Sequence, residues 1–336
     1  MKKNVVIHVG LPKAGSTFLQ KNFFPRIPNT FFLGRDESNR ISKILDFISW
    51  KNPFTQDLDS LSDEAMGLIK ERPEDNILLS REAFFGNFYT SFVANRTTAE
   101  ALNKVFARPK VVVIIRRQDK LVQSIYKQAL HQGHSIGVKK FLGYRKGEFA
   151  TFNRPLQDAS PIIDVTQLNW HRLILNYYEI FGRENVLVLP QEMLKAEPEK
   201  FYGKLYAFTG LPRAVAKTGA KGFDNRGYSY LSAKIALVLN RFLVRDFNSC
   251  GFIKEKPFNE YFKSIMDRGP FWRAMEFLTR GMQLRALLQQ GLDRIYYWDR
   301  PLINKEITRD ILDIHKESNA SLESLCSLGL EEWGYF

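Results

Sequence analysis

The chain has 336 residues, 44% of them apolar and 25% charged, which excludes a disordered or fibrous protein and leaves enough apolar residues for a core. The formal net charge of +13 favours anionic partners, but no basic run is concentrated enough to predict a nucleic-acid partner. No apolar stretch approaches the roughly 18 residues of a membrane-spanning helix. The two cysteines, Cys250 and Cys326, lack metal-ligand spacing, so we expect a cytoplasmic protein that holds no metal ion.

Apolar runs that read as buried strands alternate with helical segments along the first two thirds of the chain. Short apolar or β-branched runs predict strands at residues 5–9, 30–33, 77–80, 110–115 and 186–189. Apolar periodicity predicts helices over residues 16–24, 41–50, 60–71, 97–106, 119–131 and 167–181. The alternation predicts an α/β fold in which a P-loop-like parallel β-sheet is flanked by helices on both faces, with a mainly helical C-terminal part.

The character of the chain changes near residue 215. We predict an α/β core over residues 1–215 and a mainly helical extension of the same domain over residues 216–336. Within the core, residues 143–161 contain Gly, Pro, Asn and aromatic residues without a period, and a loop of this length inside a compact fold is often a lid.

Residues 231–244 form an amphipathic stretch in which Lys234 and Arg241 lie among apolar positions. Such a stripe is more often a core face than an interfacial helix. One alternative is therefore a non-catalytic membrane-surface protein. A milder form of the same hypothesis is a peripheral contact with the anionic inner face of the membrane.

A glycine-rich turn joins the first predicted strand to the first predicted helix. This arrangement aims backbone N–H groups and a helix N-terminus at a phosphate. Gly10 and Gly15 have the spacing of a nucleotide triphosphatase P-loop, but Ser16 stands where that loop requires lysine, and the lysine is Lys13 instead. No apolar run ending in Asp follows that could help to hold Mg²⁺. A P-loop kinase or triphosphatase remains an alternative that these residues disfavour.

The segment LPKAGSTFLQ at residues 11–20 resembles the 5′-phosphosulfate loop of the sulfotransferases that use 3′-phosphoadenosine-5′-phosphosulfate (PAPS) and release PAP. The family pattern is roughly P-K-x-G-[ST]-T-x-L. The resemblance implies that Lys13 is catalytic, contacting the bridging oxygen and the sulfuryl group, and that Ser16 and Thr17 hold the 5′-phosphate. The donor-binding loop implied in this way comprises Pro12, Lys13, Ala14, Gly15, Ser16, Thr17 and Phe18.

A second segment, at residues 110–126, strengthens the resemblance. In the family, an arginine at the end of a strand and a serine eight positions later bind the 3′-phosphate, and Arg116 and Ser124 have this separation. Arg117 and Gln118 stand where the family often has Asn and Pro, which suits bacterial and carbohydrate-directed relatives better. We expect Arg117 to be a solvated or substrate-side charge.

The remaining likeness is weaker in detail. It extends over about residues 4–215 and returns in the tail near residues 319–335, while residues 216–318 contribute little pattern. Lys221 and Arg226 lie in a basic, glycine-containing loop of the kind that the family often closes over the nucleotide, so they are further candidates for the 3′-phosphate.

Glu82 is the predicted general base, because it follows a predicted parallel strand whose end should face the ligand crevice. The stretch SRE resembles the S-x-E motif of glycan-directed sulfotransferases, in which the glutamate takes the hydroxyl proton. An ion pair with Arg81 is the alternative role for Glu82. His131 and His134 are rival bases, whereas we expect His8 to be a packed core residue.

The acceptor is less defined than the donor. The resemblance favours a hydroxyl of a carbohydrate, a glycoconjugate or a lipid-linked glycan, and a lipid alcohol or a phenol remains an alternative.

Overall fold

Five parallel strands form the central sheet, in the order Thr30–Leu33, Asn76–Ser80, Asn4–Gly10, Lys110–Ile115 and Val186–Pro190. The computed structural model describes residues 3–34, 39–50, 57–153, 161–214, 227–244, 253–254 and 286–336. The strands are β1 (Asn4–Gly10), β2 (Thr30–Leu33), β3 (Asn76–Ser80), β4 (Lys110–Ile115), β5 (Tyr144–Arg145), β6 (Glu148–Phe149), β7 (Val186–Pro190), β8 (Leu243–Val244) and β9 (Ile253–Lys254). All residues of β3 are buried, as are all of β1 and β4 except their first residues. Burial on both faces explains why these strands are continuous apolar runs.

Helices cover the sheet and make up most of the described C-terminal part. They are α1 (Ser16–Asn22), α2 (Arg40–Trp50), α3 (Leu58–Lys70), α4 (Asn95–Val105), α5 (Gln118–His131), α6 (Val138–Phe141), α7 (Trp170–Phe181), α8 (Gln191–Ala196), α9 (Pro198–Thr209), α10 (Tyr230–Leu239), α11 (Asp293–Ile295) and α12 (Lys305–Cys326). A π-helical segment, Ala286–Leu292, precedes α11. The α/β prediction is confirmed.

Local chemistry moves two helix boundaries away from the predicted positions. Helix α1 ends at Asn22 and a 3-10 turn, Phe24–Arg26, follows, because Pro25 has no N–H group with which to continue the α-helix. Helix α7 begins at Trp170 rather than at residue 167, because the side chain of Asn169 caps its first turn by accepting a backbone N–H.

The predicted lid-like loop is a packed hairpin in its described part. Strands β5 and β6 pair antiparallel, and the Tyr144 hydroxyl donates to Asp310 Oδ2 at 2.5 Å and to Glu306 Oε1 at 3.2 Å, both on α12. Residues 154–160 lie outside the described residues, and a lid role for this loop stays a prediction.

Helix α12 anchors the C-terminal part on the core. Its buried residues, among them Ile307, Ile311 and Leu322, face the sheet-covering helices α5 and α7. The stretch predicted to be amphipathic is α10, which buries Ala233 and Ala236 and leaves Val238 exposed. Within the described ranges, no helix combines the length and apolarity that crossing a bilayer requires.

Candidate active site

A cleft of about 2390 Å³ lies where β1, β3, β4 and β7 end. Because the strands are parallel, their carboxyl ends meet at one edge of the sheet, which is where ligands bind in such folds. The predicted residues that line the cleft are Lys13, Gly15, Ser16, Thr17, Phe18, Glu82, Arg116 and Ser124. Pro12 and Ala14 belong to the same loop but are not among the lining residues, and Lys221 and Arg226 lie outside the described residues.

The glycine-rich turn is held in a tight conformation. Gly10, Lys13 and Gly15 have φ values of 75°, 69° and 96°, and Ala14 N donates to Leu11 O at 3.1 Å. A left-handed lysine costs roughly 1–2 kcal/mol, and strain of this kind concentrates at functional sites. The turn therefore holds Lys13 in a conformation that an ordinary loop would avoid.

Glu82 lies directly against the end of β1. A Cβ atom placed on Gly10 would be 3.1 Å from Glu82 Cα and 3.4 Å from Glu82 Cγ. The half-buried Glu82 opens a 3-10 turn after β3 and lines the cleft. The guanidinium of the neighbouring Arg81 forms an ion pair with Asp46 and donates to Ser42 Oγ, both on α2.

Arg116 joins the end of β4 to the phosphate loop. Its Nη1 atom donates to Lys13 O at 2.6 Å, and its own carbonyl accepts from Trp170 Nε1 at 2.9 Å. Its Nε atom has no hydrogen-bond partner among the described residues. Burial lowers the pKa of Arg116, a shift that the carboxylate of Glu192 partly opposes. A partly desolvated cation with a spare donor is suited to bind an anion.

Arg117 differs from the prediction. Its guanidinium donates to the buried Asp119 at 2.6 and 3.1 Å and to Trp333 O at 3.0 Å. The hydrogen bond to Asp119 raises the pKa of Arg117. The prediction of a solvated or substrate-side charge is wrong, because this side chain ties the start of α5 to the C-terminal segment.

A buried polar network extends this link. Glu192, in the first turn of α8, accepts from Arg117 N at 3.2 Å and from the Tyr335 hydroxyl at 2.9 Å. Tyr335 O accepts from Asn319 Nδ2 at 3.0 Å, and Asn319 Oδ1 accepts from Gln118 Nε2 at 2.8 Å. The network braces the turn that carries Arg116. The sequence shows Gln118 where the family often has Pro, but it gave no indication that Gln118 would pair with Asn319.

A sulfotransferase domain model matches residues 3–223 of the chain. The chain belongs to the sulfotransferase family. It is therefore a PAPS-dependent enzyme, as the motifs predicted. No curated protein matches the sequence significantly.

Solved structures similar to this sulfotransferase include two that are each 17% identical to it. One is a sulfotransferase from Alicyclobacillus acidocaldarius, with a TM-score of 0.42 over 66% of this chain and 87% of that chain. The other is mouse sulfotransferase SULT7A1 complexed with PAP, with a TM-score of 0.33 over 62% of this chain and 59% of that chain.

The three histidines considered as bases or core residues, His8, His131 and His134, occupy different environments in this sulfotransferase. His8 is fully buried, lies 2.7 Å from Ser80 Oγ, and has its pKa lowered to about 3 by burial, which fits the core role expected for it. His131 lines the cleft, and its Nε2 atom accepts from Tyr228 N at 3.2 Å. His134 is not among the cleft-lining residues, and burial lowers its pKa.

Helix α8 contributes cleft residues that sequence reasoning missed. Gln191 and Lys195 line the cleft, and a Cβ atom on Gly15 would be 3.3 Å from Gln191 Nε2. Burial lowers the pKa of Lys195, and the charge of Arg116 lowers it further. Gln191 and Lys195 follow the end of β7 and are four residues apart, which places both side chains on one face of α8. This spacing was the signal available in the sequence.

The described residues contain no group of three or more His, Cys, Asp or Glu side chains that could hold a metal ion.

Proposed function

We propose that this sulfotransferase transfers the sulfuryl group of PAPS to a hydroxyl of a carbohydrate or glycoconjugate, with Glu82 as the base. The observation that supports it most is that Lys13, Glu82 and Arg116, which lie far apart in the sequence, line one cleft. The acceptor oxygen attacks sulfur and forms a new S–O bond. The bond from sulfur to the bridging oxygen breaks, PAP leaves with that electron pair, and the acceptor proton moves to Glu82.

In this proposal Lys13 and Arg116 contact different negatively charged groups of PAPS. The Lys13 ammonium stabilises the negative charge that develops on the bridging oxygen. Arg116 and Ser124 bind the 3′-phosphate. Arg116, with its spare Nε donor, lies between β4 and α5, and the cleft-lining Ser124 lies about two turns into α5. Lys221 and Arg226 remain candidates for the same phosphate on the resemblance alone.

The proposed acceptor class is supported by aromatic side chains in the cleft. Tyr230 and Tyr297 line it, and aromatic faces pack well against the apolar faces of sugars. We further propose a cytoplasmic location with a peripheral membrane contact. Leu231, Val238 and Phe242 support that contact, because they expose 39%, 53% and 44% of their surface beside basic residues.

A transfer assay with PAPS labelled on sulfur tests the function. We expect labelled sulfate on a glycan acceptor in the presence of EDTA, because the proposed mechanism uses Lys13 where kinases use Mg²⁺. We also expect PAP, but not ATP, to bind tightly in calorimetry. Activity that EDTA abolishes and Mg²⁺ restores would contradict the metal-free mechanism, and tighter binding of ATP than of PAP would favour the kinase alternative.

A further inference from the structure

The cleft is larger than donor binding requires. Sites for small molecules and cofactors typically have volumes of about 300–1000 Å³, whereas this cleft has about 2390 Å³. Its part beyond the donor residues is formed by α10, residues 293–304 and α12. This far wall begins next to the donor site, because Gln123 Oε1, beside Ser124, accepts from Leu302 N and Ile303 N at 3.2 Å each.

One face of α12 presents cations to the cleft. The residues of α12 that line it are Lys305, Thr308, Arg309, Leu312, Asp313 and Lys316. Their separations of three and four residues place them on a single face, and the opposite face buries Ile307 and Ile311. Asp313 is the one acidic residue among these six. Arg309 forms ion pairs with Asp313 at 4.0 Å and with the neighbouring Asp310 at 3.4 Å, and Lys305 and Lys316 keep the net charge of the face positive.

Other residues that line the cleft near the far wall are also cationic. Lys234 Nζ lies 5.4 Å and Arg300 Cζ 5.1 Å from the centre of the Tyr230 ring, and Lys127 Nζ lies 5.9 Å from that of Tyr297. Stacking on aromatic rings holds these cations in place before a ligand arrives. The acidic residues here are Asp293, which accepts from Ser229 N at 3.0 Å and from Ser232 Oγ at 2.5 Å, and Asp299. They are outnumbered by the basic residues Lys127, Lys234, Arg294 and Arg300 of the same lining.

We infer, on the basis of the proposed function, that the acceptor is an anionic glycan whose sugars carry carboxylate or sulfate groups. It binds along the far wall, with its negative groups on Lys305, Arg309 and Lys316 of α12 and its sugar faces on Tyr230 and Tyr297. The negative charges of PAPS balance the cations at the donor end of the cleft. A neutral acceptor would leave the net positive charge of the far wall without an opposite charge on the ligand.

Matched glycan pairs test this inference. Oligosaccharides of alginate, hyaluronan and unsulfated chondroitin are compared with the same oligosaccharides after reduction of their carboxylates to alcohols, and sulfated chondroitin provides the sulfate arm. Transfer of labelled sulfate from PAPS is measured for each, and PAP binding is measured separately. We expect at least one acidic form to be used roughly tenfold better than its reduced form, with the preference weakening as salt rises.

A charge-reversal variant locates the effect. Arg309→Glu combined with Lys316→Glu should lower kcat/KM for the acidic acceptor by roughly tenfold or more and leave the Kd of PAP unchanged. Lys43→Glu, an exposed residue on α2 outside the cleft, is the matched control and should change neither quantity.

The outcomes separate this inference from the function on which it rests. Failure to bind PAP would overturn the proposed function itself. If PAP binds, any of three results would overturn the anionic acceptor alone. These are equal or better use of the reduced glycans, no transfer to any acidic glycan, and an unchanged preference for acidic glycans in the double variant.

Discussion

Arg116 is held by the Lys13 carbonyl, and its Nε atom still lacks a hydrogen-bond partner among the described residues. Arg116→Ala should remove the proposed contact with the 3′-phosphate. A hydrogen bond to a charged group contributes about 1.5–3 kcal/mol, so we expect the Kd of PAP to rise roughly 10- to 100-fold. The Kd of 5′-AMP, which lacks the 3′-phosphate, should rise much less. Calorimetric titration of both nucleotides measures the difference.

The control for Arg116→Ala is Arg145→Ala, which removes an exposed arginine on β5 outside the cleft. This variant should bind both nucleotides normally. If Arg116→Ala weakened PAP and 5′-AMP by the same factor, Arg116 would be supporting the loop through Lys13 O and not binding the 3′-phosphate.

The proposed role of Glu82 is limited to the transfer step. Glu82→Gln keeps the shape of the side chain beside Gly10 and removes its basicity. Loss of a general base costs roughly 10²–10⁴-fold in rate, so we expect kcat to fall by such a factor while the Kd of PAP and the melting temperature stay close to those of the unchanged enzyme. Near-normal turnover would show that Glu82 is not the general base and would make the cleft-lining His131 the next candidate.

The positions of site residues could be predicted where the signal is local. The spacing of Lys13 within its loop and of Arg116 from Ser124 placed all three in the cleft. The prediction for Arg117 failed because one of its partners, Trp333 O, is 216 positions away in the sequence. Its other partner, Asp119, is two residues away, but the sequence does not show that Asp119 is buried beneath Arg117.

At the scale of elements, the C-terminal segment braces the β4–α5 turn through Tyr335 and Glu192. Tyr335→Phe removes one hydroxyl and leaves part of the half-buried Glu192 carboxylate without a donor. We expect a loss of about 1–3 kcal/mol in the free energy of unfolding. We also expect the Kd of PAP to rise several-fold, because Arg116 belongs to the turn that the network holds.

A second tyrosine provides the matched control. Tyr144→Phe also removes a hydroxyl that donates to carboxylates, those of Asp310 and Glu306, but at the β5–β6 hairpin away from the donor site. It should lower stability and leave PAP binding unchanged. Equal effects of the two variants on PAP binding would show that Tyr335 acts only through general stability.

The strands were predictable because each central strand is buried on both faces and therefore carries its own apolar signal. Helix ends depended on single residues such as Pro25 and Asn169. The packed hairpin at Tyr144 was not predictable, because its partners lie on α12, more than 160 residues further along the chain.

At the scale of the whole molecule, two buried histidines couple folding to pH. Burial lowers the pKa of His8 to about 3 and that of His315, on α12, to about 4. Below about pH 6.5, the ordinary pKa of histidine, both side chains bind a proton in the unfolded chain but stay neutral in the folded chain. Stability should therefore be present in full above about pH 6.5 and be lost as pH falls towards 4, by up to about 1.4 kcal/mol per pH unit for each histidine.

Urea unfolding measured between pH 7 and pH 4 tests this dependence. His8→Asn can keep the hydrogen bond to Ser80, and His315→Gln can keep the one to Val165 O, so each should flatten the slope without collapsing the fold. His171→Gln on α7 is the control. A slope unchanged in both core variants would assign the acid sensitivity to other groups.

The donor contacts of Arg116, Ser124 and the phosphate loop have a consequence for turnover. In the proposed reaction they bind the two phosphates, and both phosphates remain on PAP after the sulfuryl group has left. The enzyme would then hold its spent donor almost as firmly as the fresh one, so product inhibition by PAP and slow product release would limit the rate of the cycle.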